Sequence, residues 1–404
     1  MKSNQISLFG TLRQLSLPAV VLVAMATAFT GCEKSSTPVA FPAPPAVPAE
    51  EQIVTVYIWD QYLSPDLMAE FKERTGIEVV PKLYESTDEM VEGLKSEPGT
   101  YDVFLCEDGY IQILAGKRLT KELDHSKLKN FANIDEPYRN PAFDPKNQFT
   151  IPYLWGTTLI AYRKDKIPNP RQSWSIMSDP EYSGKVSFLD ARMECYDVML
   201  RTMGVALKDA DVAQVTQAAE MMLGLVRDRG LRFGNDNEVK DQLIQGQSWM
   251  SMIYSGDAAL IAKENPEVPI GYFIPEEGAI IWTDSFCISR DSRRVENAYK
   301  FLDFMLEAKS AAQSANELHY ASTNKAARPF LAKELLEDQA IYPRKDILDK
   351  CQYFSLRSVD SLKEVNIGWR RAQEAWLARS GQVSNEESEP VDPGAPPQAA
   401  PLIN

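Results

Sequence analysis

The chain has 404 residues, a formal net charge of −14 at neutral pH and 44% hydrophobic residues. The excess of acids excludes nucleic-acid binding through a basic surface and is compatible with a cationic partner. The length is more than one hydrophobic core of ordinary size needs, and it is sufficient for two folded lobes.

The amino-terminal segment, residues 1–31, has the composition of an export signal. Lys2 and Arg13 precede an uncharged apolar run at 15–29, which ends in small residues before Cys32. The run is shorter than the about 20 residues that a membrane-spanning helix needs. Its ending resembles a bacterial lipoprotein signal, which implies removal of the segment and a lipid anchor on Cys32. The protein would then be periplasmic or an extracytoplasmic, membrane-anchored lipoprotein; a plain secretory signal is the alternative.

Two segments flank the predicted folded part. Residues 32–52 are rich in Pro and Ala, a composition that favours an extended linker over a packed core. Residues 381–404 combine acids with Pro, Gly and Ala, which is typical of a disordered tail. The folded part is therefore predicted at 53–380.

Strands and helices alternate at the start of the folded part. β-branched and aromatic runs predict three strands, at 53–59, 77–84 and 101–106. Amphipathic stretches between them predict two helices, at 65–75 and 86–95. Ser64 and Ser86 are predicted N-caps, Gly76 ends the first helix, and Glu89 is predicted to complete a capping box with Ser86. This βαβαβ order predicts a parallel sheet.

Polar and aromatic side chains follow two of these strands. Trp59, Asp60 and Tyr62 come after the first strand, and Glu107 and Asp108 come after the third. Ligands of open α/β sheets bind beyond the carboxyl ends of the strands. We therefore expect these residues to line a binding crevice.

Three further helices are predicted from apolar residues at helical spacing, at 211–230, 295–308 and 365–379. We interpret the first two as structural. Trp369 and Trp376 lie seven residues apart on one face of the third, which indicates that this helix docks on the core. Trp155 and Trp174 are predicted core residues.

The stretch 279–289 reads as a strand that carries a cation trap. Side chains alternate between the faces of a strand, so Trp282 and Asp284 project to the same side. An indole ring attracts positive charge, and a carboxylate accepts charge-assisted hydrogen bonds from an ammonium group. A buried Trp and a solvated Asp are the alternative.

Several motifs follow one another in a fixed order along the chain. They are Tyr57-Ile58-Trp59-Asp60-Gln61-Tyr62, Tyr101-Asp102-Val103, Ile151-Pro152-Tyr153-Leu154-Trp155-Gly156-Thr157-Thr158, Asp190-Ala191-Arg192, Ile280-Ile281-Trp282-Thr283-Asp284-Ser285 and Tyr320-Ala321-Ser322-Thr323-Asn324. This ordered set resembles the periplasmic spermidine/putrescine-binding proteins of ABC transporters. The resemblance covers nearly all of 53–380.

The resemblance implies an α/β fold of the class II periplasmic-binding-protein type. Two lobes, each with a central mixed sheet flanked by helices, are joined by hinge crossovers; lobe 1 is expected at 53–157 and 283–328, and lobe 2 at 158–282 and 329–380. A monomer of this kind captures a polyamine between its lobes by hinge closure. It delivers the ligand to the membrane permease of an ABC transporter, with no cofactor and no metal.

The resemblance also implies which aromatic residues touch the amine. Trp59 and Tyr62 match rings that line the methylene chain of the ligand. Trp282 and Tyr320 match two further aromatic positions. Tyr254 stands where the family commonly has Trp, which keeps a flat ring with a weaker attraction for cations.

Acidic and polar ligand contacts follow from the same comparison. Asp284 matches a carboxylate that grips a primary ammonium, Asp190 matches an acid from the second lobe, and Asn235 matches a small polar residue. Further acids near the expected cleft are candidates, with solvated rim positions as their alternative: Asp60, Glu107, Asp108 and Asp257.

Two substitutions depart from the family pattern. Gln61 and Met193 stand where relatives carry acids, and neither can neutralise an ammonium. Glu194 follows Met193, but we expect it to point elsewhere on a helix or strand. A site with fewer fixed anions leaves putrescine and spermidine both open as ligands.

Other functions have weaker sequence support. A cysteine-dependent hydrolase would combine Cys106 or Cys195 with His319, but nothing beside either cysteine would activate it. His125, the other histidine, has no metal-ligand spacing to His319. Iron or sugar sites lack their usual patterns, whereas another small organic cation or a ligand-sensing receptor role are closer alternatives. Disulfide pairing stays open among four cysteines: Cys106, Cys195, Cys287 and Cys351.

Overall fold

The first part of the folded chain alternates strands with helices around a parallel sheet. A computed structural model describes residues 51–353 and 359–380. Its first elements are β1 (Ile53–Ile58), α1 (Pro65–Thr75), β2 (Glu78–Leu83), α2 (Thr87–Ser96), β3 (Val103–Glu107) and α3 (Ile111–Gly116). β1 pairs in parallel with β2 and with β3, which confirms the predicted βαβαβ unit.

Helices α1 and α2 begin and end at signals in the sequence. The Ser64 side chain accepts a backbone N–H in the first turn of α1, and Gly76 ends α1 with φ 74°, in the left-handed region where glycine lacks a steric penalty. The Ser86 hydroxyl accepts the N–H of Glu89 at 3.2 Å. The predicted capping box is wrong in its second half, because the Glu89 carboxylate accepts the N–H of Glu85, one residue before the N-cap.

A second group of parallel strands lies in the middle of the chain. The elements are β4 (Thr150–Arg163), β5 (Val186–Leu189), α4 (Arg192–Thr202), α5 (Val212–Arg229), β6 (Arg232–Gly234), α6 (Asp236–Ile244), β7 (Met250–Tyr254), α7 (Ser255–Glu264) and β8 (Ile270–Phe273). β5 pairs in parallel with β6 and with β7. The predicted helix at 211–230 is confirmed as α5.

The last part of the chain returns to both groups of strands. Its elements are β9 (Ile280–Ile288), α8 (Val295–Met305), α9 (Ala308–Leu318), β10 (Ala321–Ser322), α10 (Lys333–Glu337), α11 (Lys345–Leu348), β11 (Gln352–Tyr353) and α12 (Val359–Ser380). The predicted helix at 295–308 is too long. Glu307 has an extended backbone, with φ −62° and ψ 144°, and separates α8 from a second amphipathic helix that continues the apolar pattern.

Strands β4 and β9 join the two parallel groups. The order of the sheet is β2-β1-β3-β9-β4-β7-β5-β6, and β4 is antiparallel to both β9 and β7. β4 pairs with β9 up to Thr157 and with β7 from Thr158 onward. The chain thus changes partners where the sequence predicts that lobe 1 ends, although the lobe limits themselves stay predictions.

Large aromatic residues fill the core as predicted. Trp155 and Trp174 are buried. Trp369 and Trp376 of α12 both contact Phe233 of β6, with ring centroids 5.1 and 6.2 Å apart. The predicted docking of the last helix is therefore confirmed.

Several predictions concern residues that the structure does not describe. The leader, the lipidated Cys32, most of the linker at 32–52 and the tail at 381–404 lie outside 51–353 and 359–380. Among the described residues, none of the helices has the length and apolar character required to cross a membrane.

Candidate functional site

Two strand ends and the middle of a third strand meet in one crevice. Trp59 follows β1, Glu107 ends β3, and Asp284 lies in β9 opposite Glu107 in the antiparallel register. The Tyr62 hydroxyl donates to Asp284 Oδ2 over 2.7 Å. Asp284 is buried, with 6% of its surface exposed. The residues that follow β1 and β3 therefore converge on the predicted cation trap.

Five rings contact one another in a continuous series that includes Tyr62, the hydrogen-bond donor to Asp284. We call them the aromatic wall: Trp59, Tyr62, Tyr254, Trp282 and Tyr320. Neighbouring rings meet edge to face or tilted, with centroids 5.6 Å apart for Trp59 and Tyr62 and 5.9 Å for Tyr62 and Tyr320. Trp282 lies 5.1 Å from Tyr320 and 5.5 Å from Tyr254. Flat apolar faces of this kind suit a methylene chain, and their electron-rich surfaces attract cations.

Two glycines make room for the aromatic wall. A Cβ atom on Gly156 of β4 would lie 2.5 Å from the Trp282 ring. A Cβ atom on Gly256 of α7 would lie 2.5 Å from the Tyr320 ring. Any larger residue at either position would push a ring out of place, so the sequence fixes where both rings sit.

Six carboxyl groups line the crevice and act on one another; we call them the cleft acids: Glu107, Asp108, Glu194, Asp236, Asp257 and Asp284. Loss of hydration, together with the charge of Glu107, raises the pKa of Asp284 to about 8. The same two causes raise the pKa of Glu194 to about 8. Loss of hydration inside the crevice and the charge of Asp257 raise the pKa of Asp236 to about 7.

The remaining cleft acids are also disfavoured as anions. Burial raises the pKa of Glu107 and of Asp257, and it raises that of Asp108 well above the ordinary range. Asp108 Oδ2 is buried with no hydrogen-bond partner among the described residues. A bound cation would stabilise the ionised form of these carboxyl groups, because it places an opposite charge beside them.

Two basic side chains of the described residues act on the cleft acids. Arg192, at the start of α4, lowers the pKa of Glu107. Lys240 of α6 places its Nζ 3.4 Å from Asp257 Oδ1. These two cations face six carboxyl groups, so the crevice is set to hold additional positive charge.

Residues 66–343 match the model of a family described as bacterial extracellular solute-binding protein. The match covers more than half of the chain. The chain belongs to this family.

Named relatives of this solute-binding protein bind polyamines. It is 32% identical over 289 residues to the spermidine/putrescine-binding periplasmic protein of Escherichia coli, covering 71% of this chain and 82% of the relative. It is 28% identical over 329 residues to the putrescine/cadaverine-binding protein of Pseudomonas aeruginosa, covering 78% and 90%.

A solved structure agrees with the sequence comparison. The putative spermidine/putrescine ABC transporter from Listeria monocytogenes superimposes with a TM-score of 0.73 at 28% identity, over 80% of this chain and 99% of that protein. The solute-binding protein described here therefore has the expected two-lobe α/β fold of periplasmic binding proteins.

Three predicted site residues make local contacts away from the aromatic wall. Asp60 is exposed and accepts the N–H of Gln61. Asp190 is exposed, and its Oδ1 accepts from Gln373 Nε2 at 3.1 Å. Asn235 is the N-cap of α6 and has its own capping box. Ligand contacts by these three residues stay predictions.

Two cleft acids escaped the sequence analysis. Glu194 was expected to point elsewhere, which is wrong, because its carboxyl interacts with Glu107 and Asp236. Its position depends on α4 beginning at Arg192, one residue before Met193. Asp236 is the first residue of α6 and lies just beyond the carboxyl end of β6. It could have been predicted, because ligands bind beyond the carboxyl ends of strands in such sheets.

The cysteines and histidines considered for an enzymatic site lie in surroundings that do not activate them. Burial raises the pKa of the Cys106 and Cys195 thiols well above their ordinary range, so neither is an activated nucleophile. His125 Nε2 lies 2.8 Å from the Asn147 carbonyl. The described cysteines are free thiols. The residues at 51–353 and 359–380 include no cluster of His, Cys, Asp and Glu that could hold a metal ion.

Proposed function

We propose that this chain is the substrate-binding component of an ABC importer and holds a protonated polyamine, putrescine or spermidine, in the crevice between its lobes. The observation that carries the proposal is Asp284, a buried carboxyl that has aromatic neighbours and, within 51–353 and 359–380, no basic side chain among the groups that act on it. The names of its relatives support the same ligand class.

The geometry suits a cation with separated charges. One ammonium would lie beside Asp284 and donate to its carboxylate, which also accepts a hydrogen bond from Tyr62. The methylenes would lie against Trp59, Trp282 and Tyr320. A second ammonium would meet Glu107, which lies directly across from Asp284 on strand β3, and its neighbours. Charge-assisted hydrogen bonds at both ends fix the spacing between ammonium groups, which sets selectivity among amines.

Delivery to a membrane permease follows from the same proposal. Lobe 1 is proposed at 53–157 and 283–328, and lobe 2 at 158–282 and 329–380. Hinge closure would bring the cleft acids of the two lobes together around the ligand. Cys32 would tether the monomer on the outer side of a membrane, in the periplasm or beyond it. No enzymatic step is needed for this role.

Titration calorimetry of the intact protein tests the proposal. Putrescine, cadaverine, spermidine and spermine are compared with 1,4-butanediol, which matches putrescine in length but lacks charge. We expect micromolar or tighter binding of putrescine or spermidine and no binding of the diol. A preference for spermine over the others, or heat from the diol equal to that from putrescine, would contradict the proposal.

A further inference from the structure

Lys240 forms an ion pair inside the crevice. It lies one helical turn after Asp236 on α6, and its Nζ is 3.4 Å from Asp257 Oδ1 on α7. The side chains of Lys240 and Asp257 are only 21% and 15% exposed. The surface pair between Lys345 and Asp349, by contrast, is 85% and 58% exposed. The Lys240 pair is therefore much less screened by solvent.

The surroundings of Lys240 resemble a binding place for a ligand ammonium. Asp257 interacts with the hydroxyl of Tyr320 as well as with Lys240. Tyr320 belongs to the aromatic wall and lies 5.1 Å from Trp282. Lys240 also lowers the pKa of Asp236, so its charge acts on two cleft acids at once. An internal ammonium is thus paired with Asp257, acts on the charge of Asp236, and shares Asp257 with the hydroxyl of Tyr320.

We propose that Lys240 acts as a built-in ammonium that occupies the subsite of Asp236 and Asp257 and limits the cleft to amines with few charges. The proposal rests on the proposed function and adds a residue that determines selectivity. The Lys240 side chain is itself a butylammonium, so it mimics one end of a diamine. Its tether gives it an effective concentration of about millimolar or more at this subsite.

The contrast with Asp284 locates the ligand. Tyr62 donates to Asp284, and in the part of the chain that the structure describes no lysine or arginine is among the groups that act on that carboxyl. A diamine can place one charge there and the other near Glu107. A third charge would have to displace Lys240 from Asp257 or remain unpaired. We therefore expect the wild-type protein to bind a diamine in preference to a triamine, because the ion pair between Lys240 and Asp257 competes with a third ammonium.

Replacement of Lys240 tests this role by the ratio of two affinities. Lys240→Met keeps most of the unbranched side chain and removes its terminal ammonium and charge. We expect the affinity for spermidine to rise relative to that for putrescine by about tenfold, since a freed carboxylate can pair with the third ammonium. Lys240→Arg, which keeps the positive charge, should have the wild-type ratio. Lys333→Met on α10, where the lysine is 83% exposed, controls for the change in net charge and should leave the ratio unchanged.

Each outcome of the calorimetry has one meaning. A wild-type ratio in Lys240→Met would overturn the role of Lys240 while the proposed function stands. Absence of amine binding by the wild-type protein would overturn the proposed function and this inference together. Should the methionine variant not fold, Lys240→Gln replaces it, because its amide can still donate to Asp257, and the same rise in the ratio is expected.

Discussion

The two ends of strand β3 treat buried acids in opposite ways. At the amino end, Asp102 is fully buried and every contact compensates its charge: the N–H of Thr55 and Nε of Arg294 each donate at 2.8 Å. The Ser292 hydroxyl donates at 2.9 Å. Such an acid completes the fold and needs no ligand.

At the carboxyl end of β3, compensation is incomplete. Glu107 accepts one hydrogen bond, from the Thr87 hydroxyl at 3.0 Å, and Asp108 Oδ2 accepts none within the described chain. Asp284 lies directly across from Glu107. The difference teaches that the protein can neutralise buried acids where stability requires it. Acids that are only partly compensated at one end of the same strand are what the proposed cation site requires.

The largest effect is expected at the compensated end. Asp102→Ala removes the buried carboxylate partner of Arg294 and leaves that guanidinium only the exposed Glu51 as a carboxylate partner, so we expect the free energy of unfolding to fall by about 3 kcal/mol. Chemical denaturation measures this loss. Asp291→Ala, which breaks an exposed pair with Arg290, should cost about 0.5 kcal/mol or less. The comparison between the ends fails if Asp102→Ala is as mild as Asp291→Ala.

The next effect concerns ligand binding at the uncompensated end. Asp284→Ala removes the carboxylate that would pair with an ammonium, and we expect amine binding to weaken by about 2–5 kcal/mol. Stability of the unliganded protein should fall far less than in Asp102→Ala, because the lost carboxyl is poorly hydrated and its hydrogen bond from Tyr62 is not accompanied by an ion pair with a described residue. Asp66→Ala, at an exposed first-turn position of α1, is the matched control. Equal affinities in the two variants would remove Asp284 from the site.

A pH dependence should separate the two ends of β3 as well. Burial raises the pKa of Asp284 from its ordinary 3.8 to about 8. The folded protein therefore holds a proton that the unfolded chain releases, and this contribution to stability is complete below pH 3.8 and lost as the pH rises to about 8. Without amine, the melting temperature should decline across this window, and Asp284→Asn should flatten the decline.

Amine binding should release the same proton. At pH 7 an ammonium that pairs with ionised Asp284 displaces roughly one proton from it. Calorimetry in two buffers with different ionisation enthalpies measures the number released. Asp284→Asn should release roughly one proton less than the wild type. Equal release in both proteins would show that the proton comes from other cleft acids.

Much of this arrangement is encoded locally and could be predicted. Ser64 and Gly76 set the limits of α1, since a cap and a left-handed turn act within a few residues. The alternation of β9 puts Trp282 and Asp284 on one face, because strand period is a property of the chain itself. The carboxyl ends of β1 and β3 are predictable as well, because β-branched and aromatic runs mark both strands in the sequence.

Other features depend on packing that no local pattern reports. Glu194 faces the crevice only because α4 begins at Arg192 and points its first turn toward Glu107. The break at Glu307 is hidden, since the helices on either side carry apolar residues with the same period. The pairing of Lys240 with Asp257 requires α6 and α7 to lie side by side, which sequence spacing does not fix.

The smallest predicted effect comes from a single ring of the aromatic wall. Trp59 follows the carboxyl end of β1, is half-buried, and stands perpendicular to Tyr62 at 5.6 Å. Trp59→Leu keeps apolar bulk but removes the electron-rich face, so amine binding should weaken by about 1 kcal/mol, or roughly fivefold. Trp249 precedes β7, at the amino end of that strand, and Lys185 already covers its ring at 5.4 Å. Trp249→Leu should leave amine affinity unchanged in calorimetry, because the attraction for a cation matters only at the strand ends that lack one.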